Sequence, residues 1–210
     1  NYERYVSERI HSIIRQQAPV KEIHILDDCS KDKSLDRAKN IILKSGRSAS
    51  FTPNKVNAGT PFKQWRKGIK ANQSSYTWIC EADDVCDESF LRVITAQMIE
   101  TNAVIGFSNS FILDSDSEII GDGYSEYNDK FTKGGFRNRL DLTANEFGAK
   151  YLSVKNVIMN VSGVIFRTDV LQNALKVIGK DLDEYGVAGD WRIYMEICRK
   201  YPKSMITYSP

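Results

Sequence analysis

Two pairs of adjacent carboxylates stand out among the side chains that could do chemistry. Asp27-Asp28 ends an apolar run that starts at Ile23, and Asp83-Asp84 comes shortly after the apolar run 76–80. Neighbouring carboxylates repel one another unless a cation or hydrogen-bond donors compensate their charge. Mg²⁺ takes one or two protein carboxylates and completes its shell with water and phosphate oxygens. The two pairs therefore favour a divalent metal and a phosphate-bearing ligand over the alternative in which each pair caps a helix or fills a turn.

Asp190 is a third acid of interest, because Gly189-Asp190-Trp191 lies at the predicted start of a helix. The helix dipole and the free amides there keep a carboxylate ionised. An ionised carboxylate in a cleft can act as a general base toward a hydroxyl group. The alternative for Asp190 is simple N-capping of the helix.

Lys63 lies between Gly59 and Gly68 on another predicted helix, from which its ammonium group could reach phosphate oxygens. The sequence has no GxxxxGK[ST] loop, which excludes the phosphate cradle of P-loop ATPases. The alternative for this lysine is a place on a solvated helix face.

Other chemistries find little support in the composition. The four cysteines form no CxxC pair and only two histidines occur, so neither a zinc site nor histidine-based nucleophilic catalysis is indicated. We expect the cysteines to be reduced thiols of a cytoplasmic protein. The net charge of +2 is nearly balanced and gives no reason to expect a nucleic-acid partner. No apolar stretch approaches the length of a membrane span.

The candidate residues must be positioned by elements that alternate between helix and strand. Such alternation indicates an α/β fold with helical crossovers and a mainly parallel sheet. Ligands bind these sheets beyond the carboxyl ends of the strands, so both acid pairs are predicted to meet at one edge. The apolar periodicity predicts helices over 3–17, 33–44, 61–71, 88–100, 170–177 and 187–201, and strands over 22–27, 49–52, 76–80, 104–113, 162–167 and 205–208.

The order of these elements suggests that one strand is missing. The sequence begins with a predicted helix, although a doubly wound sheet places its first strand in the centre. We therefore expect a segment of a longer protein that lacks this strand, with a gap between the strands 22–27 and 76–80. Farther along, residues 114–150 are rich in Gly, Asp and Asn, which predicts loops and short helices in a second lobe or a lid.

Five motifs occur in order over essentially the whole length, at 1–17, 26–32, 57–68, 78–84, and 160–167 with 189–191. Together they resemble motifs of the family 2 glycosyltransferases with the GT-A fold. The first resembles the segment after that family's first strand, the second its DDxSxD nucleotide-binding motif, and the third a motif of a subgroup that glycosylates bacterial surface polysaccharides. The fourth resembles its DxD-type metal motif, with Glu81 where that motif usually has its first acid, and the fifth resembles its later donor and acceptor motifs.

The resemblance implies a role for each candidate residue. Asp27 and Asp28 would contact the base and ribose of a nucleotide. Asp84 would ligate Mg²⁺ or Mn²⁺, and Asp83 would touch the metal site and the ribose or sugar. Lys63 would stand near the diphosphate. The remaining implied assignments are Asp190 as the base of an inverting transfer, and Asp32, Asn57 and Gly59 as members of the donor-binding motifs.

On this resemblance we expect a metal-dependent glycosyltransferase of bacterial polysaccharide biosynthesis. It would move a sugar from a nucleotide-diphosphate sugar to a saccharide or a lipid-linked glycan acceptor. Residues 1–113 would form the nucleotide-sugar-binding half, and 114–210 the acceptor-side half, of one GT-A domain. The protein would be cytoplasmic, at the cytoplasmic face of the inner membrane or peripheral to it. The alternatives are a sugar-1-phosphate nucleotidyltransferase, a binding-only degenerate glycosyltransferase domain, and a phospho-receiver module, which would leave the second acid pair unexplained.

Overall fold

The computed structural model describes residues 1–121, 123–132 and 134–210, so Asp122 and Lys133 of the predicted polar segment lie outside the described residues. The helices are α1 (Val6–Ile14), α2 (Ser34–Ser45), α3 (Pro61–Ala71), α4 (Phe90–Thr101), α5 (Ser125–Thr132), α6 (Ala144–Phe147), α7 (Thr168–Ile178) and α8 (Gly189–Lys200). The strands are β1 (His24–Asp27), β2 (Ser50–Pro53), β3 (Tyr76–Trp78), β4 (Ala103–Ser108), β5 (Ile112–Leu113), β6 (Ile119–Gly121), β7 (Leu140–Thr143), β8 (Val164–Arg167) and β9 (Met205–Ser209). A π-helical turn covers Gly148–Leu152, and 3₁₀ segments cover Val161–Gly163 and Gly179–Glu184.

The main sheet of the described residues has five strands in the order β3-β8-β4-β9-β7. The α/β class, with a central sheet flanked by helices, is confirmed. Within this sheet β3, β4 and β9 run in one direction, but β8 lies antiparallel between β3 and β4, and β7 lies antiparallel beside β9. The pairing therefore departs from the expected mainly parallel sheet. β7 and β8 follow loops and short helical turns, and without a crossover helix nothing obliges a strand to run parallel to its neighbour.

β1 and β2 form a separate two-stranded parallel sheet. Within the described residues, no backbone ladder joins this pair to the five-stranded sheet. The break falls between β1 and β3, where the sequence predicted a gap. That an absent strand causes the gap stays a prediction.

One hydrophobic core runs across the predicted boundary between residues 113 and 114. Phe62 and Phe107 from the first part pack in the same cluster as Phe147, Phe166 and Tyr194 from the second. The polar segment is more regular than predicted, because it holds the strands β6 and β7 as well as α5. The two halves therefore share their interior.

Helix α3 shows how local sequence sets one of the elements that build the site. Thr60 caps its start by accepting a hydrogen bond from the amide of Phe62, and Pro61 occupies the first turn, where a missing N–H costs nothing. Phe62 and Ile69 are buried and fix one face against the core. Gly68 lets the helix lie close to β1, because a Cβ there would stand 2.9 Å from the side chain of Leu26.

Candidate functional site

The first acidic loop follows β1 and is organised around Asp28. Oδ1 of Asp28 accepts hydrogen bonds from the side-chain amides of Asn54 (2.6 Å) and Gln64 (2.8 Å) and from the backbone amide of Ala58 (2.9 Å). Asn57 donates to the backbone carbonyl of Asp28 at 3.1 Å. These bonds join the end of β1 to the loop before α3. The loop residues Asn57 and Gly59, predicted to bind the donor, are thus brought next to Asp28.

Asp27 and Asp32 lie on either side of this centre. Oδ2 of Asp27 accepts the amide of Ser30 at 3.1 Å, which tightens the turn after β1. Asp32 accepts both the amide (3.0 Å) and the hydroxyl (2.5 Å) of Ser34 at the start of α2, and these bonds lower its pKa to about 2. Asp32 also accepts the amide of Glu3 at 3.0 Å. Its carboxylate therefore ties the segment before α1 to the start of α2, and among the described residues no hydrogen bond joins it to another candidate acid.

The second acidic loop follows β3 and carries Glu81, Asp83 and Asp84. Oε1 of Glu81 accepts the indole N–H of Trp65 at 2.7 Å, and the amide of Glu81 donates to the hydroxyl of Ser162 at 3.0 Å. Asp83 and Asp84 accept no hydrogen bond from another described residue, and neither forms an ion pair with one. Glu81 is thus held by the protein, whereas Asp83 and Asp84 keep free lone pairs.

The carboxylates of this loop raise one another's proton affinity. Burial raises the pKa of Glu81, and the neighbouring charges of Asp83 and Asp84 add to that rise. Desolvation and the charge of Asp84 likewise raise the pKa of Asp83. A cation placed at the loop would relieve this repulsion.

One cation is already buried beside the loop. Arg9 of α1 is only 2% exposed, and its guanidinium lies 4.9 Å from the centre of the Trp78 ring. The thiols of Cys80 and Cys86 and the carboxylate of Asp84 surround its charge, whereas no oxygen or nitrogen acceptor among the described residues bonds its three nitrogens. The charge of Arg9 opposes the rise in the pKa of Glu81. It is too deeply buried to touch a ligand.

The chemistry of the acidic loop fits the expected Mg²⁺ or Mn²⁺ ion. Within the described ranges, no cluster of three or more His, Cys, Asp and Glu side chains is arranged as a metal site. An ion that takes one or two carboxylates and fills its other positions with diphosphate and water needs no such cluster. Asp83 and Asp84 supply such carboxylates with free lone pairs, whereas one oxygen of Asp28 and one of Glu81 already accept side-chain hydrogen bonds.

Asp190 lies in the first turn of α8. Its carboxylate accepts a hydrogen bond of 3.2 Å from the side-chain amide of Asn156. Burial raises the pKa of Asp190, and its bonds with the amide of Trp191 and with Asn156 counteract part of that rise. Ala188, two residues earlier, has a φ of 60°. Such left-handed backbone costs about 1–2 kcal/mol in a residue with a Cβ, so the segment that presents Asp190 stores strain.

Helix α3 brings the three acidic segments together. The amide of Gln64 bonds Asp28, the indole of Trp65 bonds Glu81, and the ring of Phe62 packs on Gly189, next to Asp190. The ammonium of Lys63 bonds the carbonyl of Ala58 at 2.8 Å, so it lies on the loop that holds Asp28. Asp32 is linked less directly: it bonds Ser34, whose hydroxyl accepts the amide of Tyr2, and the charges of Asp83, Glu81 and Asp84 raise the pKa of the Tyr2 phenol.

The predicted site residues did not include several side chains that take part in the site, among them Arg9 and Asn156. Arg9 occupies a position on the apolar stripe of α1, between the buried Val6 and Ile13. A charged residue on such a stripe is a signal that sequence analysis can find. Asn156 carries no local signal, because its contact with α8 depends on how distant segments pack.

Comparison with known proteins decides the family. Residues 1–157 match the sequence profile of Glycosyl transferase family 2. The chain belongs to this family. Asp28 and the loop Glu81–Asp84 lie inside the matched range, and Asp190 lies beyond it. In the described part of the chain, no helix has the length and apolar character needed to cross a membrane.

The relatives are distant in sequence. An uncharacterized glycosyltransferase of Haemophilus influenzae is 24% identical over 215 residues, which cover 99% of this chain and 62% of that protein. Crystal structures of S. aureus TarS 1-349 in complex with UDP and with UDP-GlcNAc are 17% and 18% identical, and both superpose with a TM-score of 0.68. They are matched over 99% of this chain and 54% and 55% of theirs. The likeness shows a shared GT-A-like fold, and the chain spans less than two thirds of these relatives' length.

Proposed function

We propose that this chain transfers a sugar from a nucleotide-diphosphate sugar to a hydroxyl group of a saccharide or lipid-linked glycan acceptor, with inversion at the anomeric carbon. The observation that carries the proposal is the half-buried, hydrogen-bonded carboxylate of Asp190, which α3 links to two acidic loops through the contact of Phe62 with Gly189. Membership of glycosyl transferase family 2 supports the same reaction. The protein would act in bacterial polysaccharide biosynthesis, in the cytoplasm or at the cytoplasmic face of the inner membrane.

The donor would lie between the two acidic loops. The complexes of TarS with UDP and UDP-GlcNAc make a uridine-diphosphate sugar the first donor to test. Asp27 and Asp28 would face the base and ribose, and the Asn57–Gly59 loop would border them. Lys63 would stand near the diphosphate. Oδ2 of Asp28 accepts only the long bond from Ala58 (3.1 Å), which leaves it capacity for a ligand donor.

The metal would be held by Asp84 with Asp83. A bound Mg²⁺ or Mn²⁺ ion supplies charge neutralisation and orientation to the departing nucleoside diphosphate. The charge of the ion would also lower the repulsion between the loop carboxylates. Glu81, which accepts a hydrogen bond from Trp65, would hold the loop in position.

Asp190 would take the proton of the acceptor hydroxyl. The acceptor oxygen attacks the anomeric carbon and forms the new glycosidic bond, while the bond to the diphosphate oxygen breaks on the opposite face and its electron pair leaves with the nucleoside diphosphate. Burial raises the pKa of Asp190 and so makes it a stronger base than an exposed aspartate. The hydrogen bond from Asn156 would hold the carboxylate in one direction.

Thermal unfolding with a panel of nucleotide-diphosphate sugars, with and without Mn²⁺, tests the donor. A ligand that binds only the folded chain raises the melting temperature by mass action. The donor so identified is then offered with saccharide acceptors to wild type, Asp190→Asn and the control Asp181→Asn, which changes an exposed acid. We expect donor binding by all three and transfer by wild type and the control alone. Normal transfer by Asp190→Asn would overturn the base assignment, and binding without any turnover would indicate a binding-only domain.

A further inference from the structure

The first turns of α3 contact every acidic segment of the site from two opposite faces of one helix. Phe62 and Trp65 lie on one face, toward Gly189 and Glu81. Gln64 lies on the other face, toward Asp28. Residues three apart share a helix face, whereas residues two apart point in nearly opposite directions. The helix therefore stands between the loop after β1 and the segments that carry Glu81 and Asp190.

This position matters because β1 and β3 belong to separate sheets in the described residues. No backbone ladder sets the distance between the Asp28 loop and the Glu81 loop, so side-chain contacts must set it. Arg66 adds a further tie, donating at 2.8 Å to both the carbonyl of Gly179 and the carboxylate of Asp183. The side chain of Lys67 bonds Asn54, which in turn bonds Asp28.

The contact between Phe62 and Gly189, the residue before Asp190, is close. A Cβ at this position would stand 2.3 Å from Cζ of Phe62, so only glycine admits the ring. Phe62 also meets Trp65 edge to face, with ring centres 4.9 Å apart. A continuous series of contacts therefore runs from Glu81 through Trp65 and Phe62 to the residue before Asp190.

The hydrogen bonding of Gln64 indicates a role beyond stability. It is 7% exposed, and its carbonyl oxygen has no donor among the described residues. A buried acceptor without a partner costs free energy, so an apolar side chain of similar shape would suit the fold at least as well. Its amide nitrogen, in contrast, fixes one oxygen of Asp28.

We propose that Gln64, Trp65 and Phe62 are positioning residues for transfer: Gln64 and Trp65 hold the donor-side acids Asp28 and Glu81, and Phe62 sets the base Asp190 through Gly189. This inference rests on the function proposed above. Substitutions of the three side chains should differ in their effects on donor binding and on kcat. Loss of the amide N–H of Gln64 or the indole N–H of Trp65 should weaken binding of the nucleotide-sugar, and loss of the Phe62 ring contact should slow the chemical step.

Three variants test the separation. Gln64→Met nearly keeps the volume, Trp65→Phe keeps an aromatic ring, and each removes the N–H that bonds a site acid; we expect each to weaken binding of the nucleotide-sugar by about tenfold with kcat nearly unchanged. Phe62→Leu leaves space above Gly189, and we expect kcat to fall about tenfold with donor affinity unchanged. Calorimetry with the donor and Mn²⁺ gives the affinity, and steady-state transfer gives kcat.

Gln172→Met is the matched control. Its amide holds the other end of α3 through the carbonyls of Ile69 (2.8 Å) and Asn72 (3.1 Å). We expect this variant to lose stability without a change in donor affinity or kcat. Gln64→Met should show the reverse, an unchanged or raised melting temperature with weaker donor binding.

The outcomes distinguish this inference from the proposed function. If wild type binds donor and transfers sugar but Gln64→Met and Trp65→Phe bind donor as tightly as wild type, the positioning roles are refuted and the function stands. Equal losses in all three variants and in Gln172→Met would reduce α3 to a structural helix. If wild type binds no nucleotide-diphosphate sugar, the function itself is refuted. Should Trp65→Phe fail to fold, the donor affinity of Gln64→Met still tests the positioning of the donor-side acids.

Discussion

The side-chain amide of Asn156 donates a hydrogen bond to Oδ2 of Asp190 at 3.2 Å, from a segment that follows the π-helical turn rather than from α8 itself. The direction of the carboxylate is therefore fixed by two separate parts of the chain. Tyr194, one turn farther along α8, is the titratable side chain that faces Asp190. Asn156 stabilises the ionised carboxylate, which is the form that a general base requires.

Asn156→Ala is expected to move the acidic limb of the pH–rate profile to higher pH. Burial raises the pKa of Asp190, and the bond from Asn156 opposes the rise, so removing the bond leaves more Asp190 protonated at a given acidic pH. The loss of kcat/KM should therefore be larger in acid than at neutral pH. Measurement of kcat/KM across this range checks the shift, with the exposed Asn145→Ala as control. An unmoved acidic limb would remove Asn156 from the role of holding the base.

Asp190→Asn is expected to stabilise the fold while it abolishes transfer. Because burial raises the pKa of Asp190 in the folded state, the folded chain keeps this proton to higher pH than the unfolded chain does. The destabilising effect of the charge is absent below the ordinary carboxyl pKa and complete above the raised one. The neutral amide should therefore gain about 1 kcal/mol, or a few degrees in melting temperature, at neutral pH. Thermal unfolding curves of the two proteins should converge in acid, and equal melting temperatures at neutral pH would contradict the argument.

Asp84→Asn is expected to abolish the part of donor binding that depends on metal. Asp84 has free lone pairs among the described residues, whereas Glu81 is bonded to Trp65, so loss of the Asp84 charge should affect the ion most directly. Calorimetric titration with Mn²⁺ alone, and with the donor in the presence and absence of Mn²⁺, measures the affinity for the ion and the part of the donor affinity that depends on it. Asp36→Asn, on the exposed face of α2, is the control. Unchanged affinity for Mn²⁺ in Asp84→Asn would place the ion elsewhere.

The sequence predicted local features well. The range of α3 agrees with the predicted helix 61–71, because Thr60-Pro61 is a strong start signal and an apolar stripe follows. The acids after β1 and β3 were also placed correctly at the ends of strands. Both features depend on residues that are close together in the chain.

Long-range features were not predictable in this way. Predicted strand 104–113 divides into β4 and β5, and β8 inserts antiparallel beside β4, because pairing depends on which distant strand fills each place in the sheet. The sequence grouped Phe62 through Gly68 in one motif without showing that its members contact three different acidic segments. The sequence shows which residues lie on opposite faces of a helix, but it does not show which distant segments each face will contact.

Arg9→Met is expected to lower stability increasingly as the pH rises. The charge of Arg9 opposes the upward shift in the pKa of Glu81 and of Asp83, so its loss lets burial and mutual repulsion raise both values further. A carboxyl with a raised folded pKa weakens the fold above its ordinary pKa, and in acid both carboxyls are neutral and the effect vanishes. The methionine also removes a buried guanidinium that has no oxygen or nitrogen acceptor among the described residues, which favours the variant in acid.

Urea unfolding of wild type and Arg9→Met in metal-free buffer, at acidic, neutral and mildly alkaline pH, measures this effect. The free energy of unfolding of the variant should match or exceed that of wild type in acid and fall below it as the acidic loop ionises. Arg4→Met is the control, since Arg4 pairs with Asp116 at the surface at 2.5 Å and lies outside the loop. A constant difference between wild type and Arg9→Met over the whole range would show that Arg9 acts by packing on Trp78 and not by its charge, because only an electrostatic contribution changes with the ionisation of Glu81 and Asp83.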